Sequence, residues 1–218
     1  MRILDQLNDN WLMATEIHKL EARLWRKSQK DGIRVVLFSS ASRGDGKSTT
    51  VACLAATLGL YPDRRILAID LDFREPRLNS HFEVEVTRGL GAVLRGECRI
   101  EEAIIKTGLP NLDLVLPDPG GEDPALLLGM PGLWKMFVHF RNLYDLILMD
   151  TPALIPVADT SVLLPLADGV ILLAMAGKTT KQELVTAREI CLGMGANILG
   201  LVVGNLQESV PEYGYGPG

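Results

Sequence analysis

The sequence predicts an α/β fold, a doubly wound and mostly parallel sheet flanked by helices, and three observations carry that expectation. Short runs rich in Val, Ile and Leu recur without alternation at 33–38, 65–70, 112–117, 145–150, 169–175 and 198–203. Amphipathic stretches separate them, and the first run leads straight into a glycine-rich loop that opens a helix. A strand apolar on both faces must be covered on both, which is the condition of a parallel sheet between two layers of helices. Alternating strands and helices supply that cover. Composition agrees: 218 residues, 47% hydrophobic and 22% charged, suit a globular domain and exclude fibrous and disordered classes.

Residues 1–32 read as a helical arm outside the core. Met13, Ile17, Leu20 and Leu24 form an apolar stripe at i, i+4, i+7 and i+11, with Lys19, Arg23, Arg26 and Lys30 as a basic stripe beside it. Residues 33–205 carry the main domain, with helices expected at 48–60, 88–94, 100–106, 131–142, 158–166 and 181–194. Residues 206–218, rich in Gly and Pro and without periodicity, are expected to form a flexible tail containing Tyr213 and Tyr215. Trp11, Trp25 and Trp134 are read as packing residues, because none stands at a strand end.

The longest apolar run, Val170–Ala176, falls far short of the roughly 20 residues of a membrane span, and the acidic start MRILDQLNDN is unlike a signal peptide. A cytoplasmic chain is the expectation. Net charge −5 argues against a nucleic-acid partner. Cys53, Cys98 and Cys191 lie far apart with no CxxC, so neither disulfides nor a cysteine metal site is expected.

In sheets of this kind ligands sit at the carboxyl ends of the strands. There the sequence reads VVLFSSASRGDGKSTT, which fits GxxxxGK[ST] except that Ala41 replaces the first Gly. Gly44 and Gly46 let successive N–H groups curl inward, and the new helix adds its positive end, making a nest for a di- or triphosphate. Arg43, Gly44, Asp45, Gly46, Lys47, Ser48 and Thr49 are therefore the candidate nucleotide-binding residues, with Lys47 reaching the phosphates and Ser48 a ligand for Mg²⁺. The run RILAIDLDFREPR puts Asp70 and Asp72 at a strand end on one side of an extended chain, placed to hold metal-bound water and to accept a hydroxyl proton. Asp70 or Asp72 could instead cap the next turn. The run YDLILMDTPA ends in Asp150, a carboxylate for a metal-bound water beside Ser48.

Taken together, a phosphate loop, then a strand ending DxDxR, then a strand ending DTP resembles the deviant Walker ATPases of division-site selection and partition. Within them, residues 16–218 are most similar to the bacterial tyrosine kinases of capsule and exopolysaccharide synthesis. Asp70, Asp72 and Arg74 match that family's Walker A′ motif, and Ser42 stands where partition ATPases carry a signature lysine. The segments VTRGLGAVLRGECRIEEAI and LVLPDPGGEDPALLL are similarly arranged, and the chain ends in tyrosines. The resemblance implies an autokinase using ATP and Mg²⁺, with Lys47, Asp70, Asp72 and Asp150 catalytic. Ser48, Asp72 and Asp150 would hold the metal, and Tyr213 and Tyr215 would be phosphoacceptors. Which of Asp70 and Asp72 activates the tyrosine stays open, and Asn205 is either an adenine contact or a turn residue. The resemblance further implies a separate transmembrane activator as partner, a place at the inner membrane through it, and self-association through the arm. There Arg23 and Arg26 keep the family's spacing, and Leu20 replaces its Glu. A positioning-type ATPase switch and a nucleotide-binding scaffold are the alternative functions.

Overall fold

Seven strands join into one sheet in the computed structural model, which describes residues 2–119, 123–155 and 159–205. Helices α1 (Arg2–Asp9) and α2 (Trp11–Asp31) precede β1 (Val35–Ser40), α3 (Lys47–Gly59) and β2 (Ile66–Asp70). The short α4 (Leu78–Phe82) and α5 (Leu90–Leu94) and a 3-10 turn at Ile100–Glu102 lead to β3 (Ile105–Lys106) and β4 (Leu112–Val115). Then come α6 (Pro124–Leu128), α7 (Gly132–Leu143), β5 (Leu146–Asp150), α8 (Asp159–Leu163), a 3-10 turn at Leu164–Leu166, β6 (Gly169–Met175), α9 (Lys181–Gly193) and β7 (Ile198–Gly204). The strand order is β3-β4-β2-β5-β1-β6-β7, and only the β3–β4 pair is antiparallel.

The uninterrupted apolar runs do what they predict. Every residue of β1, β2, β4 and β5 is buried, and alternate side chains enter two separate cores. Val36, Phe38, Ala68 and Leu148 face α1, α2 and α3, whereas Val35, Leu37, Leu67 and Ile147 face the α7 side with Met136, Phe137 and Phe140. Because β1 is an interior strand, between β5 and β6, the loop that leaves its carboxyl end opens between the two layers of helices.

Five departures from the sequence reading have physical causes. Residues 1–32 form two helices, since the Asn10 side chain accepts from Met13 N at 3.0 Å and starts α2 afresh. They also belong to the core: Ile3, Leu7, Ile17 and Leu24 are buried in it, and Arg64, ion-paired to Glu21, lies between the rings of Trp25 and Tyr61 at 4.3 and 3.6 Å. The helix expected at 100–106 is a single turn, because Ile105 and Lys106 pair with Leu114 and Asp113 as an edge strand and Lys106 bonds Asp113 at 2.7 Å. Among the described residues β7 has β6 as its one neighbour, and Leu201 and Val203 are exposed despite the apolar run. Trp11 and Trp134 are exposed as well, and of the three tryptophans Trp25 alone packs against a core-facing cation. The short helices α4 and α6 are too brief for periodicity to announce them; α6 starts on the Asp123 cap with Pro124 in its first turn.

Candidate phosphate-binding and metal site

The loop of residues 41–46 carries the chain from β1 into α3. Gly44 and Gly46 have φ of +74° and +85°, a region where an L side chain is strained, so glycine is required at both. Gly46 caps α3 without any side-chain hydrogen bond, which leaves the first N–H groups of a 13-residue helix pointing into the loop for an anion. Lys47 is buried at the head of that helix, and Ser48 and Thr49 follow it partly exposed. Ala41, the departure from the phosphate-loop pattern, is fully buried in the second core, where its methyl group packs rather than obstructing the nest.

Parallel pairing of β2 with β5 sets Asp70 directly opposite Asp150 at the carboxyl ends of the two strands, with Phe38 of β1 on the other side of Asp150. Their surroundings differ. Asp70 Oδ1 accepts from Asp72 N at 3.0 Å, and Oδ2 accepts from Arg77 N at 2.8 Å and Leu78 N at 3.1 Å, so its carboxylate anchors the turn into α4. Burial raises its carboxyl to about 6, against the pull of the Leu78, Arg77 and Asp72 N–H groups. Asp150 is fully buried, and neither of its oxygens has a hydrogen-bond partner among the described residues. Burial, and then the neighbouring Asp70, lift its carboxyl well above the ordinary range. The Ser48 hydroxyl and the Lys47 ammonium oppose that lift, though Ser48 does not reach hydrogen-bond geometry with either oxygen. Asp72 is partly exposed and accepts from Glu75 N at 3.1 Å.

The hydroxyls of Ser39 and Thr160 both donate to Pro152 O, and Thr151 Oγ1 donates to Phe38 O at 2.8 Å, so the segment after β5 is tied to β1. Arg43, exposed, bonds Glu75 at 2.9 Å across the mouth of the loop. Asp45 is buried within it. Asn205 has φ +57° and bonds Ala176 O at 3.4 Å just past β7, the conformation of a turn residue at the rim. Tyr213 and Tyr215 lie outside the described residues. Two groups at the rim escaped the sequence reading. Lys178, after β6, reaches the Arg43 carbonyl and Asp45, and Glu183, in the first turn of α9, accepts from Ser42 Oγ at 2.7 Å. Both follow a strand end, the position where such groups are to be sought.

Among the described residues no group of three His, Cys, Asp or Glu side chains is built to hold a metal by itself. The donors present nonetheless suit Mg²⁺, a hard cation that uses one or two carboxylates and takes its other oxygens from water and phosphate. Asp150 offers two buried oxygens with no hydrogen-bond partner among the described residues, and the hydroxyl of Ser48 stands beside it.

Residues 33–184 match the AAA domain family. Tyrosine-protein kinase YwqD of Bacillus subtilis is 33% identical over 184 residues, covering 84% of this chain and 77% of that protein. Tyrosine-protein kinase CpsD of Streptococcus agalactiae is 30% identical over 182 residues, covering 83% and 79%. Among solved structures, the kinase domain of Escherichia coli tyrosine kinase ETK superposes with a TM-score of 0.80 at 24% identity, covering 91% of this chain and 79% of that one, a likeness of fold.

Proposed function

As the chain belongs to the AAA domain family and to the tyrosine-protein kinases, we propose that it is an ATP- and Mg²⁺-dependent protein tyrosine autokinase serving capsule or exopolysaccharide synthesis. The observation that carries the site assignment is Asp150, a buried carboxylate at the end of β5, beside the strand that leads into the phosphate loop, with neither oxygen hydrogen-bonded among the described residues. In this reading the uncapped N–H groups of α3 and the ammonium of Lys47 take the β- and γ-phosphates, with Arg43, Gly44, Asp45, Gly46 and Thr49 lining the same cradle. Ser48, Asp72 and Asp150 would hold Mg²⁺ directly or through water, where it would neutralise phosphate charge. Asn205 borders the adenine end.

Transfer forms a bond from the tyrosine oxygen to the γ-phosphorus as the bond to the β-phosphate oxygen breaks and ADP leaves. The phenolic proton passes to a carboxylate. We assign that role to Asp72, which is partly exposed, because both oxygens of Asp70 are already committed to backbone N–H groups. Tyr213 and Tyr215 are the proposed acceptors, offered to the site of a second copy. The exposed Arg23 and Arg26 of α2 are the proposed self-association face. No helix among the described residues is long and apolar enough to cross a membrane. The proposal includes a separate transmembrane activator, with the chain held at the inner membrane through it.

Mass spectrometry after incubation with Mg-ATP tests the reading. Phosphate is expected on Tyr213 or Tyr215, none in Lys47→Met, and little after deletion of residues 209–218, which should leave ATP hydrolysis intact. Hydrolysis without phosphotyrosine, even with a membrane-activator fragment present, would replace the kinase with a positioning-type ATPase switch. Binding with neither activity would leave a nucleotide-binding scaffold.

A further inference from the structure

The turn at Gly177 that ends β6 directs Lys178 back onto the phosphate loop. Its Nζ donates to the Arg43 carbonyl and lies 3.3 Å from Asp45 Oδ1. Asp45 is the carboxylate inside the loop: its side chain has no exposure, Oδ2 accepts from Ser42 N at 3.3 Å, and Oδ1 has no hydrogen bond among the described residues. The fit is close on the loop side too, since a Cβ on Gly44 would sit 2.8 Å from Lys178 Nζ. The segment carrying Lys178 is itself fixed. Thr179 Oγ1 accepts from Met175 N at 2.8 Å, and Thr180 and Glu183 cap the start of α9 reciprocally. Glu183 also receives the Ser42 hydroxyl at 2.7 Å, and the Thr180 N–H followed by that hydroxyl holds its carboxyl down to about 2.

We propose that Lys178 is a positioning residue of the phosphate loop: by neutralising Asp45 and pinning the Arg43 carbonyl, it keeps the nest receptive to the terminal phosphates of a nucleotide. The inference rests on the nucleotide-binding reading given above and adds a residue to it. An ion pair between two exposed groups would count for little. Here one partner is buried within an anion site, so removing the ammonium leaves an uncompensated carboxylate facing a polyphosphate, a repulsion in a poorly solvated setting. The Lys178 side chain is itself 45% exposed, so screening limits the effect to about tenfold in affinity.

A fluorescent ADP titrated with Mg²⁺ into the full chain, together with steady-state turnover of ATP, tests this. Lys178→Met is expected to weaken ADP binding about tenfold and to raise KM for ATP in parallel, with the maximal rate changed less than about twofold. Lys178→Arg should restore most of the affinity. Adding Asp45→Asn to Lys178→Met should recover part of the lost affinity, because the charge that needed neutralising is gone while the amide keeps an oxygen for Ser42 N in the cradle. Wild-type affinity in Lys178→Met, a fall in maximal rate with binding unchanged, or a double variant as weak as the single one would each overturn the inference while leaving the functional reading in place. A wild-type chain that does not bind Mg-ADP would overturn both.

Discussion

Glu21 and Asp150 are both carboxylates with almost no access to water, and the protein treats them differently. Glu21, on the inner face of α2, meets the Arg64 guanidinium, which is stacked between Trp25 and Tyr61. Asp150, at the tip of β5, meets another carboxylate across the strand pair and has no hydrogen bond to either oxygen among the described residues. A buried charge with a partner in the fold is part of the structure, and one without a partner marks a place where something else must bind. The first ties the arm to α3 and β2. The second marks the proposed nucleotide and metal site.

Removing the partner where there is one should have the largest effect on stability. Arg64→Ala leaves Glu21 buried and unpaired, so the full chain is expected to lose about 3–5 kcal/mol in urea unfolding, while nucleotide affinity under folding conditions stays within about twofold of wild type. A loss below about 1 kcal/mol, the range of exposed ion pairs, would show that the arm is held by its apolar stripe alone and would remove one side of the comparison.

A smaller effect should appear in the pH dependence of the metal-free chain. Asp70 and Asp150 both have folded values above their unfolded one, Asp70 at about 6 and Asp150 well above 3.8, so the folded state binds more protons than the unfolded. Their contribution is full below about pH 4 and is lost as pH rises through the folded values. The urea midpoint of the wild type should therefore fall from pH 5 to pH 7. Asp150→Asn should flatten that fall, since it removes one of the two raised carboxyls. Parallel curves for the two proteins would mean that Asp150 finds a partner in the fold after all.

The half of this comparison that lies at the site was open to sequence reading, and the half in the arm was closed to it. Gly44, Gly46, Lys47 and Ser48 are contiguous, and Asp70 and Asp150 close apolar runs whose burial follows from composition alone, so local pattern sufficed. The Glu21–Arg64 pair spans 43 residues and the Lys178–Arg43 contact 135, and no periodicity links such positions. The sequence also left open whether Asp70 caps a turn, which depends on where the N–H groups of Arg77 and Leu78 fold back. Residues 105–106 mislead for the same reason: a strand of two residues is defined by its neighbour β4, not by its own propensity. Trp11 and Trp134 were misjudged because hydrophobicity alone does not say which face of a helix is covered.

Asp150 as the carboxylate that takes a cation is tested most directly by the Mg²⁺ dependence of nucleotide binding. Fluorescent ADP would be titrated into wild type and Asp150→Asn, each with Mg²⁺ and with a chelator. The wild type is expected to bind about tenfold or more tightly with Mg²⁺ than without it, and the variant to bind nearly equally under both conditions. The same Mg²⁺ enhancement in both proteins would contradict the assignment of Asp150.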